Sequence, residues 1–290
     1  MEKAQKTLPK NRFELFKEIV KNQSSTMFKI GLLVLIIMLP LIITFLLTNI
    51  KIYEVNLLLS QNSLSETEAM NQITGYINAR NLLFIVIIPI TFYILSGVFN
   101  VIRKIVWREG LLFWHDFKKG IKQNGGYFFI VSLIFAVIFF VFNYSLRNEL
   151  INHSTQNFVA TIFSGIAFVI MILLMPFLLH QTIIYNLKFL HKIKNTLIIF
   201  SKLFYIFIIL AVINVAPFLL LFINSGTMLL IILVFECILF IPLLIVINTM
   251  MTDCTFDAFI NHLHFKEIYR KGLMKYAEDT TEWFNIFLYW

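Results

Sequence analysis

The chain has little charge and almost no cysteine. Asp, Glu, Lys and Arg make up 14% of its 290 residues, and Cys237 and Cys254 are its two cysteines. They form no CxxC pair, so neither a cysteine metal cluster nor a disulfide scaffold is supported. There is no Walker A sequence to bind and hydrolyse ATP, and HExxH, GxSxG and the Rossmann glycine fingerprint are also missing. The Gly125–Gly126 pair is too small a signal for a phosphate cradle. No cofactor and no metal are expected.

What is present is apolar. Hydrophobic residues make up 59% of the chain, 32 of them Phe, and the mean hydropathy is +0.82. A soluble core of this size does not need so much apolar surface. Phe suits a lipid-facing or gap-filling position, so its abundance implies no aromatic cofactor box. The pattern predicts an all-α polytopic membrane bundle of six transmembrane helices. The expected spans are Met27–Asn49, Phe84–Ile102, Tyr127–Tyr144, Phe158–His180, Leu197–Phe222 and Met228–Met250. Each is long enough to cross a hydrocarbon core of roughly 30 Å. The first run is too long for a signal-peptide core and has no small-residue cleavage site after it.

Net charge is +8, and its distribution matters more than its size. Basic residues crowd the leader (residues 1–26), the connection between spans two and three, and the connection between spans four and five. The three alternate connections are nearly free of them. This alternation predicts that both termini are cytoplasmic. It also makes anionic lipid the expected partner, rather than nucleic acid.

Residues 27–250 therefore read as the membrane domain, with an outer insertion at 51–81 and a cytoplasmic amphipathic segment at 103–126. Residues 251–290 read as an amphipathic tail. The outer insertion, rich in Ser, Asn and Glu, reads as an exterior loop, with Leu57–Leu59 able to pack a short interfacial helix. In the cytoplasmic segment, aromatic and basic groups alternate. Trp107, Arg108, Trp114, Phe117, Lys118, Lys119 and Lys122 are its candidate contacts with a partner or with lipid headgroups. Gly125 and Gly126 are expected to end its short helix before span three. His115 and Asp116 are adjacent, so on a helix they diverge and make no catalytic pair. In the tail, Phe256, Phe259, Ile260 and Leu263 form an apolar stripe, and Trp283–Trp290 is a further short anchor. His262 and His264, with Asp253 or Asp257, have poor spacing for a metal.

Three polar residues define an expected intramembrane site: Glu236, Asn214 and Asn248. Glu236 lies about 12 Å into span six at 1.5 Å per residue. No Lys or Arg sits at matching depth, so it must face the bundle interior, a cavity or a hydrogen-bond partner. Asn214, mid-way along span five, is one candidate partner. Pro217 frees the Ile213 carbonyl, and Pro242 frees that of Leu239 or a neighbour. The site serves either to lock spans five and six together or to line a solute path. No convergent set of polar groups supports catalysis.

Leu39-Pro40 with Thr44, Tyr93, Arg103, Arg108-Glu109-Gly110, Asp116-Phe117 and Asn124 together resemble the YesL-like bacterial membrane proteins. The resemblance covers residues 27–210 and is clearest at 93–124. It implies a protein of the bacterial cytoplasmic membrane, often encoded beside carbohydrate uptake systems, with no established catalytic residue. The outer insertion and the extended tail depart from that pattern and are candidate docking parts. The leading expectation is an accessory or regulatory subunit of a transport complex, with membrane transporter subunits such as an ABC system as partner. The alternatives are a small-solute transporter or channel with a cavity near Glu236, and a lipid-modifying enzyme at the cytoplasmic face.

Overall fold

The computed structural model describes residues 8–152, 155–222 and 226–274. The expected anchor at Trp283–Trp290 lies outside the described residues. Among those described, the regular structure is all helical: α1 (Arg12–Asn22), α2 (Ser24–Ser60), α3 (Glu66–Val106), α4 (Phe113–Asn152), α5 (Thr155–Ile184), α6 (Phe189–Lys202), α7 (Phe204–Val215), α8 (Gly226–Phe235) and α9 (Ile241–Phe256). A 3₁₀ segment, Ala216–Phe222, extends α7. A π-helical turn, Glu236–Phe240, joins α8 to α9, and a second, Asp257–Asn261, follows α9.

Among the described residues, five helices are long and apolar enough to cross a membrane: Ser24–Ser60, Glu66–Val106, Phe113–Leu150, Gln156–Ile184 and the run Met228–His264. Only 22–44% of their apolar windows is buried inside the protein, so most of each rod presents its side chains outward. A sixth span exists only if α6 and α7 are taken together, and these meet at a bend of 103°. The expected straight span Leu197–Phe222 is thus corrected. The bend falls at Leu203 (φ −130°, ψ 39°), between α6, which carries its lysines, and α7, which carries no charged residue. The apolar run of the sequence passes through this point without a Gly or Pro to mark it.

The outer insertion is also corrected. Residues 51–81 are almost entirely helical, because α2 and α3 simply continue past their apolar parts. At 37 and 41 residues they are about 55 and 60 Å long, well beyond the thickness of a hydrocarbon core. Asn62 (φ +55°) closes α2. Its N–H bonds the Leu59 carbonyl, and the Ser63 N–H reaches back to that of Leu58, the Schellman arrangement in which Asn is well suited to the left-handed position. Ser65 and Glu68 then cap α3 reciprocally. A five-residue turn with both ends capped needs no loop.

The turn after α3 follows the same rule with a different residue. Arg108 (φ +53°) takes the left-handed position, its N–H bonding Ile105 while the Glu109 N–H bonds Lys104. α4 then runs unbroken through Gly125 and Gly126, contrary to the expected break. Gly125 has another use: a Cβ there would lie 2.6 Å from the Tyr93 ring. Gly120 works likewise, since its Cβ would lie 2.6 Å from that of Asn100. Small residues let α3 and α4 approach closely, as helices in lipid commonly do.

The core is aromatic. Phe177 stacks on Phe207 at 4.0 Å between centroids and meets Phe256 edge-on, tying α5, α7 and α9. Phe99 meets Phe128 edge-on across the α3–α4 pair. Phe168 of α5 packs among Phe135, Phe139 and Phe142 of α4.

Candidate functional site

The bundle forms an open-sided cavity of about 340 Å³. Its wall comes from α2 (Met38), α3 (Phe92, Leu95, Phe99), α4 (Phe135), α5 (Ile172, Met175, Pro176, Leu179, His180), α7 (Asn214, Val215) and α9 (Ile241, Leu244, Ile245, Asn248). Three of these side chains are strongly polar, and all three are engaged. Asn214 and Asn248 exchange both amides, each Nδ2 donating to the other's Oδ1 at 2.9 and 2.7 Å. Asn214 Nδ2 also donates to the Leu210 carbonyl. A buried amide that cannot reach water must find such partners, and a reciprocal pair satisfies two residues at once.

His180 is held on both sides, with Nδ1 2.7 Å from the Pro176 carbonyl and Nε2 2.9 Å from Thr249 Oγ1. A carbonyl only accepts, so Nδ1 carries a proton. The ring also leans on Phe99 at 5.1 Å between centroids. Among the described residues, the cavity wall offers no carboxylate, thiol or free hydroxyl. It can receive an apolar body and present an amide edge to it.

Of the three residues expected together, the structure joins Asn214 and Asn248 and separates Glu236 from them. Glu236 opens the π turn and is buried, its Oε1 has no hydrogen-bond partner, and it is not part of the cavity wall. The π turn has a clear packing role. Pro242 has no N–H to offer the Ile238 carbonyl four residues back. That carbonyl faces Gly31 of α2, where an added Cβ would come within 2.0 Å of its oxygen. The α2 backbone therefore crosses directly on the π turn. The carbonyl affected by Pro242 is Ile238, one residue before Leu239.

A second polar cluster, which the sequence did not announce, lies where the leader meets the start of the tail. Arg12, with 2% of its surface exposed, donates from Nη2 to Asp257 Oδ2 at 2.8 Å and lies 3.8 Å from Asp253. Burial alone would lower its pKa. The carboxylates of Asp257 and Asp253 outweigh that, and the guanidinium is held above its ordinary value. The Trp107 indole donates to Asp253 at 2.8 Å. Asn261 donates to Asp257 at 2.8 Å and accepts from the Tyr185 hydroxyl. Lys271 reaches Glu109 at 2.5 Å, and both Lys271 and Arg103 lie over the Trp107 ring. Leu15 and Ile19 of α1 are buried beside this cluster. The cluster thus fastens α1, α3, α5, α9 and the tail together.

The aromatic–basic segment divides into an inner and an outer part. Trp107 and Phe117 are buried, and Trp107 serves Asp253 rather than a surface. Arg108 is exposed and pairs with Glu18 of α1. Trp114 is 62% exposed, and Lys118, Lys119 and Lys122 are exposed beside it on the first turns of α4. Asp116 anchors this end: it takes the Lys104 ammonium at 2.7 Å and the Leu112 N–H at 2.8 Å, while its own carbonyl accepts from Asn100. His115 is exposed on the same face as Lys118, Lys119 and Lys122, turned away from Asp116.

Asp253 and Asp257 are taken by Arg12, and the His262 Nδ1 faces the Asp257 carbonyl at 3.1 Å. Among the described residues, no group of three or more His, Cys, Asp or Glu is arranged to hold a metal. Cys237 and Cys254 are buried and form no disulfide. Comparison with protein-family models, with curated proteins and with solved structures finds no match in any of the three. The geometry alone defines the class: a helical bundle with five helices, up to six, suited to crossing a membrane.

Proposed function

We propose that this chain is a multi-pass protein of the bacterial cytoplasmic membrane, with leader and tail in the cytosol, and that it acts as an accessory or regulatory subunit of a transport complex. The exposed strip Trp114–Lys122 carries this reading. It projects an aromatic ring and three cations from a base pinned through Asp116 to Lys104 and Asn100. Rigid support under an exposed aromatic–basic patch is what a docking surface needs. The bundle interior offers little to a hydrophilic solute, because its cavity is apolar and its amides bond each other. A partner among transporter subunits, such as an ABC system, and kinship with the YesL-like proteins through residues 93–124, belong to the same proposal.

Purification in mild detergent after crosslinking in cells, followed by mass spectrometry, tests it. A transporter subunit is expected with the wild type and is expected to be lost with Lys118→Glu, Lys119→Glu and Lys122→Glu combined. Recovery of the chain with lipid alone sinks the reading.

The cavity favours a second reading, passage or storage of a small apolar solute. Asn214 and Asn248 then take the role first given to Glu236. Uptake unaltered by Asn248→Leu in a protein that still reaches the membrane counts against it.

A further inference from the structure

Lys192 of α6 is a buried lysine that faces no anion among the described residues. Its side chain is 2% exposed, and its ammonium lies 3.8 Å over the Tyr127 ring of α4. Among the described residues it makes no salt bridge. No carboxylate is near it in sequence either: from Leu150 to Phe235 the chain has no Asp or Glu. The same α6 region carries Lys188, Lys194 and Lys202, and Lys188, His191 and Lys194 are exposed around the buried lysine.

A second donor borders the same place. Gln181 of α5 is fully buried, and its Oε1 accepts from the Thr196 hydroxyl at 3.2 Å. Its Nε2 has no partner. Thr196 lies one turn beyond Lys192 on the same face of α6, so the lysine and the unpartnered amide nitrogen line one seam between α5 and α6. An ammonium taken out of water needs a counter-charge, and the face of one tyrosine ring replaces only part of its hydration.

We propose that the seam at Lys192 and Gln181, roofed by Tyr127, is a binding site for a phosphate group, with Lys192 supplying the charge and Gln181 a second donor. Several acceptor oxygens on one centre match two donors of different geometry. The expected source is a phospholipid headgroup rather than a free phosphate, because the chain reads as a membrane bundle. The lipid source rests on the membrane reading above, whereas the phosphate chemistry does not.

The test uses the full chain in a background where Lys118, Lys119 and Lys122 are changed to Gln, which removes the exposed basic strip. Thermal unfolding is followed in nanodiscs of phosphatidylcholine alone, in nanodiscs containing phosphatidylglycerol, and in detergent with inorganic phosphate. A midpoint several degrees higher with phosphatidylglycerol, lost in Lys192→Met and kept in Lys192→Arg, is expected. Stabilisation by inorganic phosphate in detergent, without a phosphatidylglycerol effect, assigns the site to a soluble phosphate ligand. If neither probe raises the wild-type midpoint, the face of Tyr127 suffices for the ammonium and the site is rejected. That comparison needs no variant to fold. A chain that fails to enter nanodiscs yet responds to inorganic phosphate overturns the membrane reading while leaving the phosphate site standing.

Discussion

The carbonyl oxygen of Ile238 occupies the space a side chain at position 31 would need, so Gly31 and Ile238 meet backbone to backbone. The contact depends on two sequence features more than 200 residues apart. Glycine removes the obstacle on α2. Pro242 withholds the N–H that would draw the Ile238 carbonyl back into its own helix.

Gly31→Val should therefore destabilise the bundle by about 2 kcal/mol or more, because the obstacle is backbone and cannot rotate away. Gly75 provides the control: nothing lies within 4 Å of a Cβ there, and Gly75→Ala should be neutral or stabilising by about 0.5 kcal/mol through helix propensity. Thermal unfolding in detergent, read by circular dichroism, checks both. Equal behaviour of the two variants would contradict the close crossing.

The Asn214–Asn248 pair makes a double-mutant cycle informative. Each single change to Leu strands the partner's amide, at a cost of about 1–2 kcal/mol. The double Leu variant should cost less than the sum, with a coupling of about 1 kcal/mol. Additive losses would mean that the two amides do not depend on each other.

Arg12→Met should cost about 3–5 kcal/mol, since it leaves Asp253 and Asp257 buried without their cation. Adding Asp253→Asn and Asp257→Asn should recover much of that loss. The pH dependence has a definite sign. A cation whose pKa is raised in the folded protein contributes stability fully below its unfolded pKa and loses it only as pH rises through the folded value. The ordinary arginine value already lies far above neutral pH, so Arg12 itself should add no slope to a stability profile between about pH 5 and pH 9. A fall in wild-type stability that begins near neutral pH on the alkaline side, and that Arg12→Met abolishes, would overturn this.

Orientation is open to direct labelling. Cys237 and Cys254 are buried, so native background should be low. A membrane-impermeant maleimide applied to intact cells should modify Asn62→Cys at the α2–α3 turn and should modify Lys122→Cys only after lysis. The reverse pattern would invert the proposed topology.

The apolar rods were legible because a helix facing hydrocarbon needs little more than length and hydropathy. What escaped depends on how the rods are rotated and interrupted. The 103° bend at Leu203 has no Gly or Pro to betray it. Asn214 was read mid-way along a straight span five, whereas Asn248 stands two residues before the expected inner end of span six at Met250. A bend before one and a π turn before the other shift both registers and bring them level. Gly125 and Gly126 looked like a helix end, but glycine also serves close packing, and Tyr93 claims Gly125. Arg12 was one basic residue among several in the leader. Nothing in its spacing distinguishes the one whose acidic partners lie 245 positions away.

That separation has a consequence for biosynthesis. At roughly 5–20 residues per second, the ribosome delivers the aspartates that Arg12 needs some ten to fifty seconds after α1 has emerged. Until then the amphipathic leader has no lasting home, and its Leu15 and Ile19 are unshielded. A message truncated before codon 253 would yield a product permanently caught in that waiting state, easily distinguished by a protease from the finished molecule.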